Sequence, residues 1–141
     1  MSLVCWDSMM FIYWLEWHPH FGPSVDSIHK RMAHRGDQLC TSVFTVGEVL
    51  TGAYKGGSGE KARQLAAFFS SGVVRILPFE FEAAERYAHI RATHSVSPAD
   101  AIQLATASVG QVDLYITNDK KLKKLVIDGI KFIAGLDGVV L

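Results

Sequence analysis

LYITNDKKL (Leu114–Leu122) sets a short strand-like run, Leu114–Thr117, directly against Asn118, Asp119 and a lysine pair. A run of this length, bounded by turn residues, has the signature of a strand buried on both faces, as in parallel sheets. The same arrangement opens the chain, where LVCW (Leu3–Trp6) is followed at once by Asp7. Two buried strands that each end on a carboxylate raise one question. The acids could simply start the next helix, or they could face each other around something positively charged.

The segments between these strands alternate in period. SMMFIYWLEW places Met10, Trp14 and Trp17 on one helical stripe, which HPHFGP then breaks. SVDSIHKRMAHRG carries Val25, Ile28 and Met32 at helical spacing and stops on Gly36. LCTSVF (Leu39–Phe44) is the expected second strand, with a helix following through TVGEVLTGAY and a turn in KGGSGEK (Lys55–Lys61). ARQLAAFFSS is a helix, VVRIL (Val73–Leu77) a third strand, and FEFEAAERYAHIRATH and SPADAIQLATASVG are two more helices. DLYIT, DKKLKKLVI and IKFIAGL complete the series as fourth strand, short helix and fifth strand. Apolar strands alternating with longer helices predict an α/β fold, with a mostly parallel sheet of four to five strands covered on both faces. Right-handed crossovers then bring the C-terminal ends of the strands to one edge, where open sheets of this kind bind ligands.

At 141 residues the chain is expected to form one domain, residues 1–141. Lysine plus arginine and aspartate plus glutamate both number 14. That balance argues against a grip on nucleic acid by bulk charge alone. Cys5 and Cys40 each sit in a strand-like run and are expected to be buried and reduced. No apolar run approaches the roughly 20 residues of a membrane span. No signal-peptide pattern is visible, and the expected location is the cytoplasm.

Asp7, Glu48 and Asp119 map to the C-terminal edge of this expected sheet, and Asp100 can reach it if its helix starts there. Asp7 and Asp119 follow strands, Glu48 lies in the first turn after the second strand, and Asp100 opens a helix leading into the fourth. Each has an ordinary local explanation. TVGE (Thr45–Glu48) and SPAD (Ser97–Asp100) both fit capping boxes, and Asp7 and Asp119 fit helix N-caps. Their conjunction is harder to explain, because clustered carboxylates repel and take up protons unless a cation neutralises them. Carboxylate oxygens are hard ligands suited to Mg²⁺ or Mn²⁺, and such an ion suits phosphodiester hydrolysis by supplying hydroxide and neutralising the leaving oxygen.

VCWDSMMFIYWLE, TSVFTVGEVL, SPADAIQLATA and LYITND stand in the order and approximate spacing of the PIN-domain nucleases. The chain most resembles the small bacterial and archaeal toxins of the VapC type within that family. The resemblance covers nearly the whole chain, including AAERYAHIRATH and the terminal IAGLDGVVL. It implies a PIN-like three-layer α/β/α sandwich and Mg²⁺- or Mn²⁺-dependent cleavage of RNA. Carried over to this chain, the catalytic and metal-binding acids are Asp7, Glu48, Asp100 and Asp119. Asp7, Asp100 and Asp119 would hold the principal metal directly or through water, with Glu48 completing the cluster, binding a second metal or positioning the attacking water. Ser8 would orient Asp7 or a water at the metal, and Thr117 and Asn118 would support Asp119. Met9 departs from the small or amide residue common after the acid–hydroxyl pair, which bears on access to the pocket. The implied partners are an RNA substrate, a cognate antitoxin and a second copy of the chain in a homodimer, with no membrane. A PIN-type nuclease of housekeeping RNA maturation shares the same chemistry and differs only in genetic context.

Lys120, Lys121, Lys123 and Lys124, with Lys55, Lys61 and Arg63, could follow an RNA backbone or simply form solvated surface. His18 and His20 bracket a proline without the acid or cysteine spacing of a zinc site, so a surface loop is expected there. His89 and His94 fall on a helix and are expected at the surface or rim. Trp14, Trp17, Phe21, Phe68 and Phe69 are candidates for a partner surface or for plain core packing. A phosphate-receiver-like signalling domain also gathers acids at a sheet edge. That reading needs paired acids at the first strand and an aspartate after the third, whereas CWDSMM has one acid and RILPFE none but Glu80.

Overall fold

A computed structural model describes residues 1–138. The elements run β1 (Leu3–Trp6), α1 (Ser8–Leu15), α2 (Gly22–Arg35), β2 (Gln38–Ser42), α3 (Val43–Lys55), α4 (Gly59–Ser70), β3 (Arg75–Leu77), α5 (Phe81–Thr93), α6 (Pro98–Val109), β4 (Leu114–Ile116) and β5 (Phe132–Ala134). A single 3₁₀ turn, Leu122–Lys124, precedes β5. The five strands form one parallel sheet in the order β3-β2-β1-β4-β5. The expected mostly parallel α/β sheet is therefore the observed one, with all five strands parallel. The chain builds outward from β1 to β2 and β3, then returns to the other side of β1 for β4 and β5. The order reverses between β1 and β4, and that topological switch point opens a crevice at the strands' C-terminal ends.

Side chains alternate across the sheet and fill two cores. Val4, Trp6, Leu39 and Ile116 face α1 to α4, where they pack with Met10, Phe11, Ile28, Met32, Val49 and Phe69. Cys5, Cys40 and Tyr115 face the opposite way and pack with Ile90, Ala101, Leu104 and Ala105 of α5 and α6. The sandwich thus has three layers. Cys5 and Cys40 are register partners across β1 and β2, both buried and free. α6 is apolar nearly all round, which fits its burial on most sides.

Several boundaries differ from the sequence expectation, each for a local reason. β2 stops at Ser42 because the Ser42 hydroxyl accepts the Thr45 N–H at 3.1 Å and starts α3 there, so Val43 and Phe44 are helical rather than extended. Thr45 is therefore not the cap. The expected helix over DKKLKKLVI shrinks to the one 3₁₀ turn, since four lysines within five positions repel along a helix and its two buried residues, Leu122 and Ile127, are five positions apart rather than on one helical stripe. α1 ends at Leu15, and Trp17 leaves the expected stripe with φ +50° and an exposed ring. The VVL end of IAGLDGVVL lies outside the described residues.

Leu104 has no exposed surface and anchors α6 against the sheet. Leu104→Ala should lower unfolding free energy by about 2–5 kcal/mol, measured by urea denaturation.

Candidate active site at the sheet's switch point

β1 and β4 pair as far as Trp6 and Ile116, and the Asp7 N–H continues the ladder to the Ile116 carbonyl at 3.2 Å. The next residues on the two strands, Asp7 and Thr117, meet across the crevice. The buried Thr117 hydroxyl donates to Asp7 Oδ2 at 2.6 Å, while Asp7 Oδ1 caps α1 by accepting the Met10 N–H at 3.1 Å. Thr117 Oγ1 also accepts the Asp119 N–H at 3.1 Å, so one hydroxyl ties both strand-end acids. Asp119 Oδ1 in turn accepts the Lys121 N–H at 2.8 Å. Asp119 does cap the turn that follows it, and it also contributes its charge to the crevice.

Glu48 comes from the side of β2. Because α3 begins at Val43, Glu48 lies in the second helical turn and not at the reciprocal position of a capping box. Its Oε1 accepts hydrogen bonds from the Ser8 hydroxyl and from Gln103 Nε2, the latter at 3.1 Å. Ser8 thus serves Glu48 rather than Asp7. Asp100 lies in the first turn of α6, where its N–H donates to the Ser97 cap at 3.1 Å. Asn118 Nδ2 points to the Tyr13 hydroxyl at 3.4 Å and not to either neighbouring acid.

The electrostatics place the four acids in one field. Burial pushes the Asp7 carboxyl up to about 6, against hydrogen bonds from Thr117 and the Met10 and Met9 N–H groups, and the Asp100 charge adds to the rise. Asp100 is raised first by burial, against a hydrogen bond accepted from Ser97, and further by Asp119 and Glu48. Beneath them, burial raises the Tyr115 phenol, with added contributions from Asp7, Cys5, Asp100 and Glu48. Among the described residues none of the four acids forms an ion pair with lysine, arginine or histidine; the ion pairs present join other residues. The acids are thus coupled through Asp100, whose charge is felt by Asp7 and which itself feels Asp119 and Glu48, and none of them has a basic partner among the described residues.

The donor set suits a hard divalent cation. No three acid, histidine or cysteine side chains among the described residues form a ready-made ligand cage. A small cation such as Mg²⁺, which keeps several waters and binds one or two carboxylates directly, fits an open acidic crevice better than such a cage. Beside Glu48 runs a groove of about 530 Å³, walled by Phe44, Phe79 and Ile102.

Gln103 is the site residue that sequence reading missed. Its signal was a long amide on an otherwise apolar helix, one turn after Asp100 and on the same face. The histidines stay apart from the site's hydrogen bonds; His18 Nδ1 braces its own loop by accepting the His20 and Phe21 N–H groups at 3.1 and 3.0 Å.

Comparison with known proteins agrees with this architecture. The family model described as PIN domain matches residues 4–127. No curated protein matches the chain in sequence. Among solved structures, VapBC2 from Rickettsia felis bound to a DNA fragment from their promoter aligns with a TM-score of 0.75 at 17% identity, covering 94% of this chain and 98% of that one. DNA-bound VapBC from Salmonella typhimurium aligns with a TM-score of 0.73 at 22% identity, covering 96% and 99%. VapC20 from Mycobacterium tuberculosis, a toxin that cleaves the sarcin–ricin loop, aligns with a TM-score of 0.63 at 18% identity, covering 79% and 86%. At these identities the likeness is one of fold.

The raised Asp7 carboxyl sets a pH dependence. Its folded-state value of about 6 lies above the unfolded one, so Asp7 favours the native state while protonated. That contribution declines as pH rises from about 4 and is gone above about 6. In EDTA, Asp7→Asn should therefore melt higher than the parent protein, by a margin that widens between pH 4 and about 6.5 and then levels, as read by thermal melts.

Proposed function

Because this chain belongs to the PIN-domain family, we propose that it is a divalent-metal-dependent endoribonuclease and the toxin of a toxin–antitoxin pair. What supports the chemistry is the coupling of these acids near the sheet's switch point: Asp7 feels the Asp100 charge, Asp100 feels those of Asp119 and Glu48, and none of the four pairs with a protein cation among the described residues. Such a site is stabilised by a cation from solution. The toxin role is supported by the kinship of fold with VapBC complexes and with a toxin that cleaves the sarcin–ricin loop.

In this reading Asp7, Asp100 and Asp119 would hold Mg²⁺ or Mn²⁺ directly or through water, and Glu48 would complete the set, bind a second metal or orient the attacking water. A divalent ion held by these acids would supply charge neutralisation at the phosphodiester and a more acidic attacking water. The chain's own groups fix the geometry around it. Thr117 holds one Asp7 oxygen and the Asp119 backbone, the Met10 N–H holds the other Asp7 oxygen, and the Ser97 hydroxyl caps the helix that carries Asp100. The aromatic wall beside Glu48 offers a surface on which an unstacked RNA base can lie. Lys120 and Lys121, exposed directly after Asp119, suit contact with the RNA backbone. An antitoxin and a second copy of the chain are the proposed protein partners, with exposed Trp17, Phe81 and Phe132 among the apolar side chains available to them. No helix among the described residues is long and apolar enough to cross a membrane.

Asp7→Asn and Asp100→Asn should each reduce RNA cleavage by at least roughly 100-fold while the fold is kept. The parent protein should gain melting temperature on adding Mn²⁺, and both variants should lose most of that gain. Unchanged cleavage in either variant, in preparations freed of contaminating nuclease, would refute the assignment.

A further inference from the structure

Gln103 is a buried polar side chain that the four-acid description does not use. It sits on α6 with 4% of its surface exposed, in a helix whose other buried positions are apolar or small. Its amide is fully engaged. Oε1 accepts from the Ser42 hydroxyl and from Thr45 Oγ1 at 3.0 Å. The two Nε2 hydrogens are shared among Thr45 Oγ1 at 2.7 Å, Ser8 Oγ at 3.0 Å and Glu48 Oε1 at 3.1 Å. An ionised carboxylate only accepts, so the NH₂ end must face Glu48, and the amide has one sensible orientation.

Two donors, the Gln103 amide and the Ser8 hydroxyl, therefore converge on a single oxygen of Glu48. The other oxygen, Oε2, has no hydrogen-bond partner among the described residues, and the Glu48 charge is felt by Asp100. The carboxylate is clamped at one end and open at the other. A purely packing role for Gln103 does not require this arrangement, because an apolar residue of similar volume would fill the space without a buried amide that must find partners. A hydroxyl and amide network in which each member is satisfied instead restricts the side chains attached to it.

We infer that Gln103 is a positioning residue: through its amide it fixes the Glu48 carboxylate so that one oxygen is bound by protein and the other is presented to the acidic crevice. The inference rests on the nuclease reading of that crevice. It assigns α6 two tasks, carrying Asp100 into the site and holding Glu48 in place from one turn further along.

A double-mutant cycle tests it, using Gln103→Leu, Glu48→Ala and the combination in the full chain. Gln103→Leu should lower kcat for RNA cleavage roughly 10–100-fold, with KM little changed, and should move the Mn²⁺ concentration at the midpoint of the thermal shift upward. In the Glu48→Ala background the same substitution should have little further effect on either quantity, because its target is gone. Additive losses would mean that Gln103 acts through general stability, and the inference would be wrong. Where Gln103→Leu fails to fold, the side-chain amide of Gln103 itself is the probe. Its NH₂ resonances should shift in Glu48→Ala and, in the parent protein, on titration with diamagnetic Mg²⁺. Amide resonances that ignore the loss of Glu48 would overturn the inference equally. A parent protein that neither cleaves RNA nor gains stability from Mn²⁺ would instead sink the nuclease reading, and the role of Gln103 with it.

Discussion

The hydrogen bond from Thr117 to Asp7 joins the two strands between which the sheet reverses its order. Everything at the site is referred to it. β1 and β4 come from opposite ends of the sequence and share no local connection, so only their parallel register brings Asp7 level with Thr117. A slip of one residue in β4 would turn Thr117 to the other face of the sheet, away from Asp7. The two cores prevent that slip by burying alternate residues of each strand on opposite sides, with Trp6 and Ile116 on one and Cys5 and Tyr115 on the other. Sheet register and site geometry are thus one constraint.

Bringing acids together in this way works against folding. The Asp7 carboxyl is buried and uncompensated by any lysine or arginine in the described structure, and its raised pKa expresses that cost. Local donors limit the cost without cancelling charge. The Met10 N–H at the start of α1, the Thr117 hydroxyl and the Ser97 cap at the start of α6 all favour the ionised or helix-starting forms. A lysine placed beside Asp7 would offset much of that cost, and the described residues supply none.

Much of this was legible in the sequence because the strands are short, apolar and bounded by sharp changes in residue type. LVCW and LYIT gave their positions, and the acids after them gave the edge. What the sequence concealed depends on which of two adjacent hydroxyls acts first. Ser42 and Thr45 both suit an N-cap, and TVGE fits a capping box, so Glu48 could be dismissed as a helix-end residue. The structure starts the helix three residues earlier and frees Glu48 for Ser8 and Gln103. Gln103 was hidden because one amide in an apolar helix has no meaning until its neighbours from 58 and 95 positions away are known. The lysine run after Asp119 misled in the opposite direction, since its helical spacing ignored mutual repulsion.

The placement of Gln103 also bears on how the two halves of the sandwich stay in step. α1 and α3, which carry Ser8 and Glu48, pack on one face of the sheet, whereas α6, which carries Asp100 and Gln103, packs on the other. Apolar cores tolerate small sliding movements, because dispersion contacts are numerous and not directional. Hydrogen bonds tolerate much less, since their strength falls steeply with misalignment. Around the C-terminal end of β2, Ser42, Thr45, Ser8 and Gln103 link the helices of both faces through directional contacts. A shift of α6 relative to α3 would break several of them at once and would move Asp100 away from Glu48. The polar cluster therefore turns two separately packed layers into a single frame for the acids, with greater precision than the cores alone supply.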